Sequence, residues 1–187
     1  MKIIYKIENG PVLLEPNVFK DDRGYFFESF SSKEFSKIIG KDIEFVQDNE
    51  SKSSAFVFRG FHFQKPPYAQ AKLVRVVKGS VLDIIVDIRR GSPNYGQTYA
   101  AYLSENNHRQ FYVPEGFAHG FLSLEDDTVF QYKCNNYYNK ESEGGIRLKN
   151  FDLQMATTSE KDKLHPFLED FDTPFEYTGS DSTIDEQ

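Results

Sequence analysis

Two of the four histidines in this chain lie in segments whose pattern is typical of β-strands. His62 stands in the aromatic-rich segment RGFHFQ, and His119 stands in GFAHGF. A neutral imidazole can act as a general base or bind a metal, because its unperturbed pKa of about 6.5 lies close to physiological pH. Strict alternation places Gln64 on the same strand face as His62, and Phe61 and Phe63 on the other. A hydrogen-bonded position in a barrel wall is the structural alternative for both histidines.

The residues after His62 do not match a metal site of the cupin type. Such a site needs a second histidine two residues after the first and then a carboxylate, whereas Phe63 and Gln64 follow His62 here. Cys134 is the only cysteine, which excludes an internal disulfide and the CxxC patterns of zinc and redox sites. We therefore predict a site that works without a bound metal.

Two basic residues occupy strand positions where a charge needs an explanation. Arg59 falls on the face opposite His62 unless Gly60 introduces a bulge, which a glycine inside a strand often marks. Lys72 shares its strand face with two valines in KLVRVV. Each residue could bind an anion, and Lys72 could also stabilise an enolate. The structural alternatives are an exposed edge position for Arg59 and a side chain that reaches solvent for Lys72.

A tyrosine and an aspartate are further candidates. Tyr132 shares a strand face with Phe130 and Cys134 in TVFQYKC, so its hydroxyl can point into a barrel. Asp162 stands three residues after Ser159, where a short helix is predicted to begin. The structural alternatives are a wall hydroxyl for Tyr132 and a carboxylate that supports the helix start for Asp162.

The segments that carry these residues are short, alternating and separated by glycine, proline and asparagine. Examples are AFVFRGFHF, AKLVRVVKGSVLDIIVDI, RQFYVPEGFAHGFLSL and TVFQYKC. This rhythm predicts an all-β sandwich or barrel. Gly79, in the connection 78–80, predicts a hairpin turn. Ser31 and Glu34 form a capping box before a helix over SSKEFSKII, which Gly40 ends.

Length and charge restrict the architecture and the partners. The 187 residues suit one domain, predicted at 1–176, with a polar acidic tail over 177–187. The net charge of -7 opposes binding to nucleic acid or anionic membrane, so phosphate recognition needs a local basic cluster. Lys6 and Glu8 interrupt what would be the apolar part of a signal peptide. Together with the single cysteine, these features predict a cytoplasmic protein without a membrane segment.

The motifs in series resemble those of the dTDP-4-dehydrorhamnose 3,5-epimerase family. The order and spacing of the family's motifs are matched over roughly residues 10 to 175. The matching segments are DDRGYFFESF, FVQDNESKSS, FRGFHFQKPPYAQAKLV, GSVLDIIVDIRRGSPNYG, VPEGFAHGF and QYKCNNYYNKESEGGI. Each motif alone is weak, but the series is highly specific. The resemblance implies an all-β jelly-roll barrel of the cupin type with a few short helices, no metal and no cofactor. It also implies a homodimer in which N-terminal strands cross to the partner.

The same resemblance implies roles for individual residues. His62 is similar to the base that takes a proton beside a ketone, Tyr132 to the donor on the opposite face, and Lys72 to the cation beside the enolate oxygen. Asp162 is similar to the carboxylate that orients the base, and Tyr138 to a ring that stacks on thymine. The positions similar to residues that bind the nucleotide, its diphosphate or the sugar are Arg23, Glu28, Gln47, Asn49, Arg59, His119, Glu143 and Lys161.

The resemblance implies inversion at C3 and C5 of dTDP-4-dehydro-6-deoxy-D-glucose, giving dTDP-4-dehydro-L-rhamnose. The alternatives are an epimerase acting at one carbon of another 4-keto nucleotide sugar, and a sugar-nucleotide binding module without turnover. A metal-dependent cupin enzyme is disfavoured by the residues after His62. The chain departs from the family in RLKNFDLQMATT, residues 147–158, which lacks the family's tryptophan and proline. The positions of Asp162 and Lys161 depend on this segment.

Overall fold

Two facing sheets make up most of the protein, in a computed structural model that describes residues 1–151 and 155–179. With strands numbered in chain order, the six-stranded sheet has the order β1 (Lys2–Lys6), β2 (Val12–Glu15), β10 (Gln110–Val113), β7 (Lys72–Lys78), β12 (Thr128–Cys134) and β5 (Gln47–Ser53). The five-stranded sheet has the order β13 (Glu143–Gly145), β6 (Phe58–Gln64), β11 (Phe117–Ser123), β8 (Ser80–Asp87) and β9 (Thr98–Ser104). A separate ribbon pairs β3 (Phe19–Asp21) with β4 (Gly24–Phe26). The predicted all-β architecture is confirmed.

The main hydrophobic core lies between the two sheets. Val76 of β7 packs there with Ile85 of β8 and Phe121 of β11. Because successive side chains of a strand point to opposite faces, each sheet also has an outer apolar face to cover. Phe35 of helix α1 (Ser32–Ile39) covers the six-stranded sheet, and C-terminal residues such as Phe171 cover the five-stranded sheet. The inner faces of the strands are therefore left to form both the core and a cavity.

Both predicted helices are confirmed. The Ser31 hydroxyl accepts a hydrogen bond from the backbone N–H of Glu34, and α1 ends at Gly40 in a left-handed conformation with φ 85°. The second helix, α2 (Glu160–Lys163), begins after Ser159, whose hydroxyl accepts from the backbone N–H of Asp162 at 3.1 Å. Capping by Ser159 therefore sets the orientation of the turn that carries Asp162.

The connection at 78–80 is not a hairpin, and that prediction is wrong. Gly79 has the positive φ that a tight turn needs, 78°, but β7 and β8 belong to different sheets. The chain crosses from the six-stranded to the five-stranded sheet at this point. The turn between β10 and β11, which contains Gly116, makes the same crossing. Turn residues determine the local backbone, whereas the partner of the next strand depends on which apolar face it must bury.

A bulge in β6 brings Arg59 and His62 to the same side of the strand. His62 is paired with His119 of β11, and Arg59 is paired with Phe121. Three steps along β6 therefore match two steps along β11, as expected for one extra residue. Gly60 lies in this interval with φ 143°, and a Cβ there would lie 2.9 Å from the carbonyl oxygen of His119. Of the two arrangements that the sequence left open for Arg59, the structure has the one with a bulge at Gly60.

The end of the chain is described in part. The backbone N–H of Tyr177 donates to the carbonyl of Arg90 at 2.8 Å. The rest of the predicted tail, residues 180–187, lies outside the described residues, as do residues 152–154 of the segment that departs from the family. The domain boundary at 176 stays a prediction. Within the two described stretches, no helix is long and apolar enough to cross a bilayer.

Candidate active site

A cavity of about 440 Å³ is lined by residues from both sheets and from α2. An adjoining cavity of about 380 Å³ shares His62, Lys72, Tyr132 and Glu143 with it. All the predicted site residues line one of these two cavities except Arg23 and Glu28. The larger cavity is lined by His62, Lys72, Tyr132, Asp162, Arg59, His119, Glu143 and Lys161. The smaller cavity is lined in addition by Gln47, Asn49 and Tyr138.

His62 and Asp162 form a hydrogen-bonded pair at the wall of the larger cavity. The Nε2 of His62 lies 2.6 Å from the Oδ1 of Asp162. The carboxylate is buried, and the imidazole is 32% exposed. Burial raises the pKa of Asp162, but the hydrogen bond and the charge of His62 outweigh it, so the pKa lies below its usual range. An ionised carboxylate that accepts the Nε2–H leaves the Nδ1 lone pair of His62 free.

The segment before α2 is tied to the start of β6, although it lacks the family's tryptophan and proline. The backbone N–H of Phe58 donates to the carbonyl of Thr157 at 2.9 Å, and Thr157 donates to Phe56 at 2.8 Å. The ring of Phe151 packs against Phe58 and Phe61, with centroid distances of 5.2 and 5.4 Å. These contacts hold the segment close to the strand that carries His62.

Lys72 and Tyr132 lie on neighbouring strands of the opposite sheet, β7 and β12. The Nζ of Lys72 is 5.7 Å from the centroid of the Tyr132 ring. Burial lowers the pKa of Lys72, and the nearby acidic groups of Asp83 and Glu143 oppose that shift. Burial also raises the pKa of Tyr132, which keeps its hydroxyl protonated at neutral pH. This wall therefore places an amine and a phenol hydroxyl across from the wall of His62.

A second imidazole–carboxylate pair, which sequence reasoning missed, lies deeper in the barrel. The Nε2 of His119 is 2.9 Å from the Oδ2 of Asp83, and both side chains are buried. Asp83 lies between the inward-facing Val81 and Ile85 on β8. The signal that drew attention to Lys72, a charge on an apolar strand face, applies equally to Asp83 and could have identified it.

A network of polar residues surrounds the smaller cavity. The Oε2 of Glu143 accepts from Lys161 at 2.5 Å and from the Tyr138 hydroxyl at 3.1 Å. The Lys161 ammonium holds the pKa of Glu143 below its usual range. Gln47 donates to Asn49 at 2.9 Å and accepts from the backbone N–H of Tyr138. The Tyr138 ring itself is exposed, so one of its faces can contact a ligand.

Arg23 and Glu28 lie away from both cavities. Arg23 is at the tip of the β3–β4 ribbon, where its guanidinium is 91% exposed and paired with Asp21 at 2.5 Å. Glu28 follows the ribbon and is also exposed. The local basic cluster of this chain is therefore formed by Arg59, Lys72 and Lys161, without Arg23.

Two antiparallel sheets closed around a cavity that is lined by imidazole, carboxylate, amine and phenol groups define an all-β enzyme of the jelly-roll type. Residues 6–170 match the family model for dTDP-4-dehydrorhamnose 3,5-epimerase. The chain therefore belongs to that family of isomerases, and the predicted membership is confirmed.

Similar proteins cover most of the chain. A dTDP-4-dehydrorhamnose 3,5-epimerase from Salmonella typhimurium is 46% identical over 177 residues, which span 90% of this chain and 97% of the relative. One from Escherichia coli K12 is 53% identical over 146 residues, 78% of this chain and 79% of the relative. The crystal structure of dTDP-6-deoxy-D-glucose-3,5-epimerase RmlC from Legionella pneumophila, in complex with dTDP-4-keto-L-rhamnose, has a TM-score of 0.87. It is 39% identical and covers 95% of this chain and 99% of its own, and the cupin-type jelly roll is thereby confirmed.

Proposed function

We propose that this protein inverts C3 and C5 of dTDP-4-dehydro-6-deoxy-D-glucose and releases dTDP-4-dehydro-L-rhamnose. The observation that carries the proposal is the 2.6 Å hydrogen bond between His62 and the buried carboxylate of Asp162. This pair lines a cavity whose other wall holds Lys72 and Tyr132. Membership of the epimerase family supports the same reaction.

His62 is the proposed general base. A C–H bond beside a ketone is weakly acidic, because its electron pair can move onto the carbonyl oxygen when the proton leaves. With Nε2–H donated to Asp162, the Nδ1 of His62 takes that proton. The C–H electron pair becomes the double bond of an enolate, and the negative charge resides on the oxygen at C4. The carboxylate of Asp162 stabilises the imidazolium that forms.

Lys72 and Tyr132 complete the proposed reaction. The ammonium of Lys72 stabilises the negative enolate oxygen, an effect that is strong inside a cavity that excludes water. Tyr132 then donates its proton to the same carbon from the opposite face, so the new C–H bond has inverted configuration. The tyrosinate regains a proton from water, and His62 releases one. No cofactor is needed, because the substrate's own ketone accepts the electron pair.

The remaining residues are proposed to bind the substrate. Arg59 and Lys161 are cations suited to the diphosphate, since guanidinium and ammonium groups form charge-assisted hydrogen bonds with phosphate oxygens. The exposed ring of Tyr138 suits stacking on thymine, which aromatic side chains favour. The side chains proposed to contact the sugar or the base through hydrogen bonds are Gln47, Asn49, His119 and Glu143.

A homodimer with exchanged N-terminal strands is part of the proposal. The β3–β4 ribbon exposes Phe19, Tyr25 and Phe26, with 66, 59 and 70% of their surface accessible. Large exposed apolar patches are typical of interaction surfaces. The partner's ribbon would bring Arg23 and Glu28 to the cavity, which would explain why these residues lie away from the cavity of their own chain.

The proposed location is the cytoplasm. Cys134 is a free, buried thiol. Reducing compartments keep cysteines in that form. The net charge of -7 supports a small-molecule substrate rather than nucleic acid or an anionic membrane as partner.

Proton NMR of the 4-keto sugar nucleotide in deuterium oxide tests the reaction. We expect deuterium to enter both C3 and C5 when the metal-free protein is added, together with new signals of the inverted sugar. Exchange and inversion at one carbon alone would favour the single-centre alternative. Binding without exchange at either carbon would favour the binding module and contradict the proposal.

A further inference from the structure

Asp162 lies between two histidines. Its Oδ1 is 2.6 Å from the Nε2 of His62 on one side and 3.8 Å from the Nε2 of His165 on the other. One ligating atom from each of the three residues lies within 4.8 Å of the others. We infer that His62, Asp162 and His165 form a binding site for Zn²⁺ or a similar divalent transition metal, and that the bound metal inhibits the enzyme.

His165 has no role in the proposed reaction, and its geometry is that of a free ligand. Its Nε2 is buried and has no hydrogen-bond partner among residues 1–151 and 155–179. The 3.8 Å to Asp162 is too long for a hydrogen bond. A buried polar nitrogen without a partner costs free energy. A shared metal ion would satisfy this nitrogen and the carboxylate of Asp162 together.

The donor set and its dimensions suit zinc. Two imidazoles and one carboxylate, with an open fourth position, are a frequent arrangement for Zn²⁺. Bonds of about 2.0–2.2 Å in a tetrahedron place neighbouring ligand atoms roughly 3.3 Å apart. The separations of 2.6 and 3.8 Å lie on either side of that value. All three ligand atoms lie within 4.8 Å of one another, so a shift of about 1 Å in each side chain would form the site, and the cavity would supply water as the fourth ligand.

Metal binding at the wall of the substrate cavity would remove the general base. In the free pair, the proton is on the Nε2 of His62 and the lone pair is on Nδ1. A metal bound at Nε2 moves that proton to Nδ1, so the nitrogen that must accept the substrate's proton already carries one. This consequence rests on the proposed role of His62, whereas the binding of the metal does not.

The inferred site differs from the cupin-type site that the residues after His62 disfavour. Its ligands come from β6, from α2 and from the turn that follows α2. The ring of His165 packs directly over Gly145 of β13, where a Cβ would lie 2.5 Å from its Nε2. A side chain at position 145 would therefore displace the third ligand, so this glycine helps to form the site.

Titration of metal-free protein with Co²⁺ tests binding independently of turnover. We expect one equivalent to bind and to show the visible absorption of tetrahedral cobalt. His165→Asn should weaken binding by about 100-fold, because it removes one of three protein ligands. The control His108→Asn changes a histidine elsewhere and should leave the affinity unchanged. Equal Co²⁺ affinities of His165→Asn and the wild-type protein would overturn the site.

Inhibition is measured as epimerisation with and without Zn²⁺ at a fixed substrate concentration. We expect at least about 10-fold slower turnover of the unchanged protein, while His165→Asn keeps its own metal-free rate. Equal inhibition of both proteins would assign the effect to zinc held by the substrate diphosphate and overturn the inference. If the variant does not fold, anomalous scattering at the zinc edge from crystals of the unchanged protein locates the ion. A peak elsewhere also overturns the site, whereas an inactive metal-free protein would contradict the proposed function alone.

Discussion

His62 and His119 are paired directly across the neighbouring strands β6 and β11, and each imidazole is hydrogen-bonded to its own carboxylate. Asp162 of α2 holds the first, and Asp83 of β8 holds the second. The His62 side chain is 32% exposed and that of His119 is 7% exposed. The more exposed imidazole can exchange a proton with a bound substrate, whereas the buried one is held in place. This difference favours His62 as the base and His119 as a binding group.

We expect His62→Ala to lose deuterium exchange at both C3 and C5. Loss of a general base typically slows a reaction by about 100- to 10,000-fold. Binding of dTDP, measured by calorimetry, should change little, since the proposed nucleotide contacts remain. His108→Asn is the control, because His108 lines neither of the two cavities. Near-normal turnover of His62→Ala would exclude this residue as the base.

Tyr132→Phe is expected to separate exchange from inversion. His62 can still remove a proton and return deuterium from the same face, but the donor on the opposite face is missing. NMR should show deuterium at C3 or C5 with little inverted sugar. Tyr102→Phe on β9 removes an exposed hydroxyl and should behave like the unchanged protein. An unaltered ratio of inverted product to exchange would assign the donor role to another residue.

Asp162→Asn should keep the fold and reduce turnover by about 100-fold or more, since loss of a comparable carboxylate has cost about 10,000-fold elsewhere. Glu160→Gln is the matched control on the same short helix, where the carboxylate pairs with Lys163. Unchanged turnover in Asp162→Asn would leave the aspartate with a purely structural role.

The same variant has a distinct pH dependence of stability. Because the folded-state pKa of Asp162 is lowered, the unfolded state takes up its proton first as the pH falls. Asp162 therefore contributes stability above pH values of about 4, and loses it progressively at lower pH. The melting temperatures of the unchanged protein and Asp162→Asn should converge in acid. A constant difference across that range would contradict the assigned shift.

Asp83→Asn is expected to raise KM, because Asp83 positions His119, and also to lower kcat, because its charge opposes the lowering of the Lys72 pKa. A hydrogen bond to a charged group is worth about 1.5–3 kcal/mol, so KM should rise about 10-fold or more. Asp87→Asn on the same strand is the control, because its buried carboxylate pairs with Arg89 instead. That variant should lower the melting temperature without changing KM. An equal effect of both substitutions on KM would mean that Asp83 has no specific role.

Gly60→Ala is expected to destabilise the protein by about 3 kcal/mol or more, because a strained backbone and a steric collision add. Its Cβ would collide with the backbone of Gly120 in the adjacent strand. Gly40→Ala is the control with a positive φ and no atom within 4 Å of the added Cβ. It should cost only about 1–2 kcal/mol. If urea denaturation gave similar losses of unfolding free energy for the two variants, the close approach of β6 and β11 would not contribute to the effect of Gly60→Ala.

The sequence by itself determined the class of architecture and most of the candidate residues. Alternating apolar segments with turn residues between them predict strands, because side chains in a strand alternate between faces. The same rule placed Gln64 with His62. A glycine inside a strand left a bulge at Gly60 open, and serine caps identified the two helices. The motifs in series then indicated the family. Apart from the order of the motifs, each of these signals lies within a few neighbouring residues of the chain.

Only the tertiary structure decided which distant residues meet. The turn at Gly79 was predicted, but its two strands entered different sheets, because strand partners depend on burial across the whole barrel. The pairing of Asp83 with His119 depends on register between β8 and β11, which no local pattern contains. Asp162 and His165 approach His62 from a segment about 100 residues later in the chain. Such contacts arise from packing, and packing energy is shared among residues that are far apart in sequence.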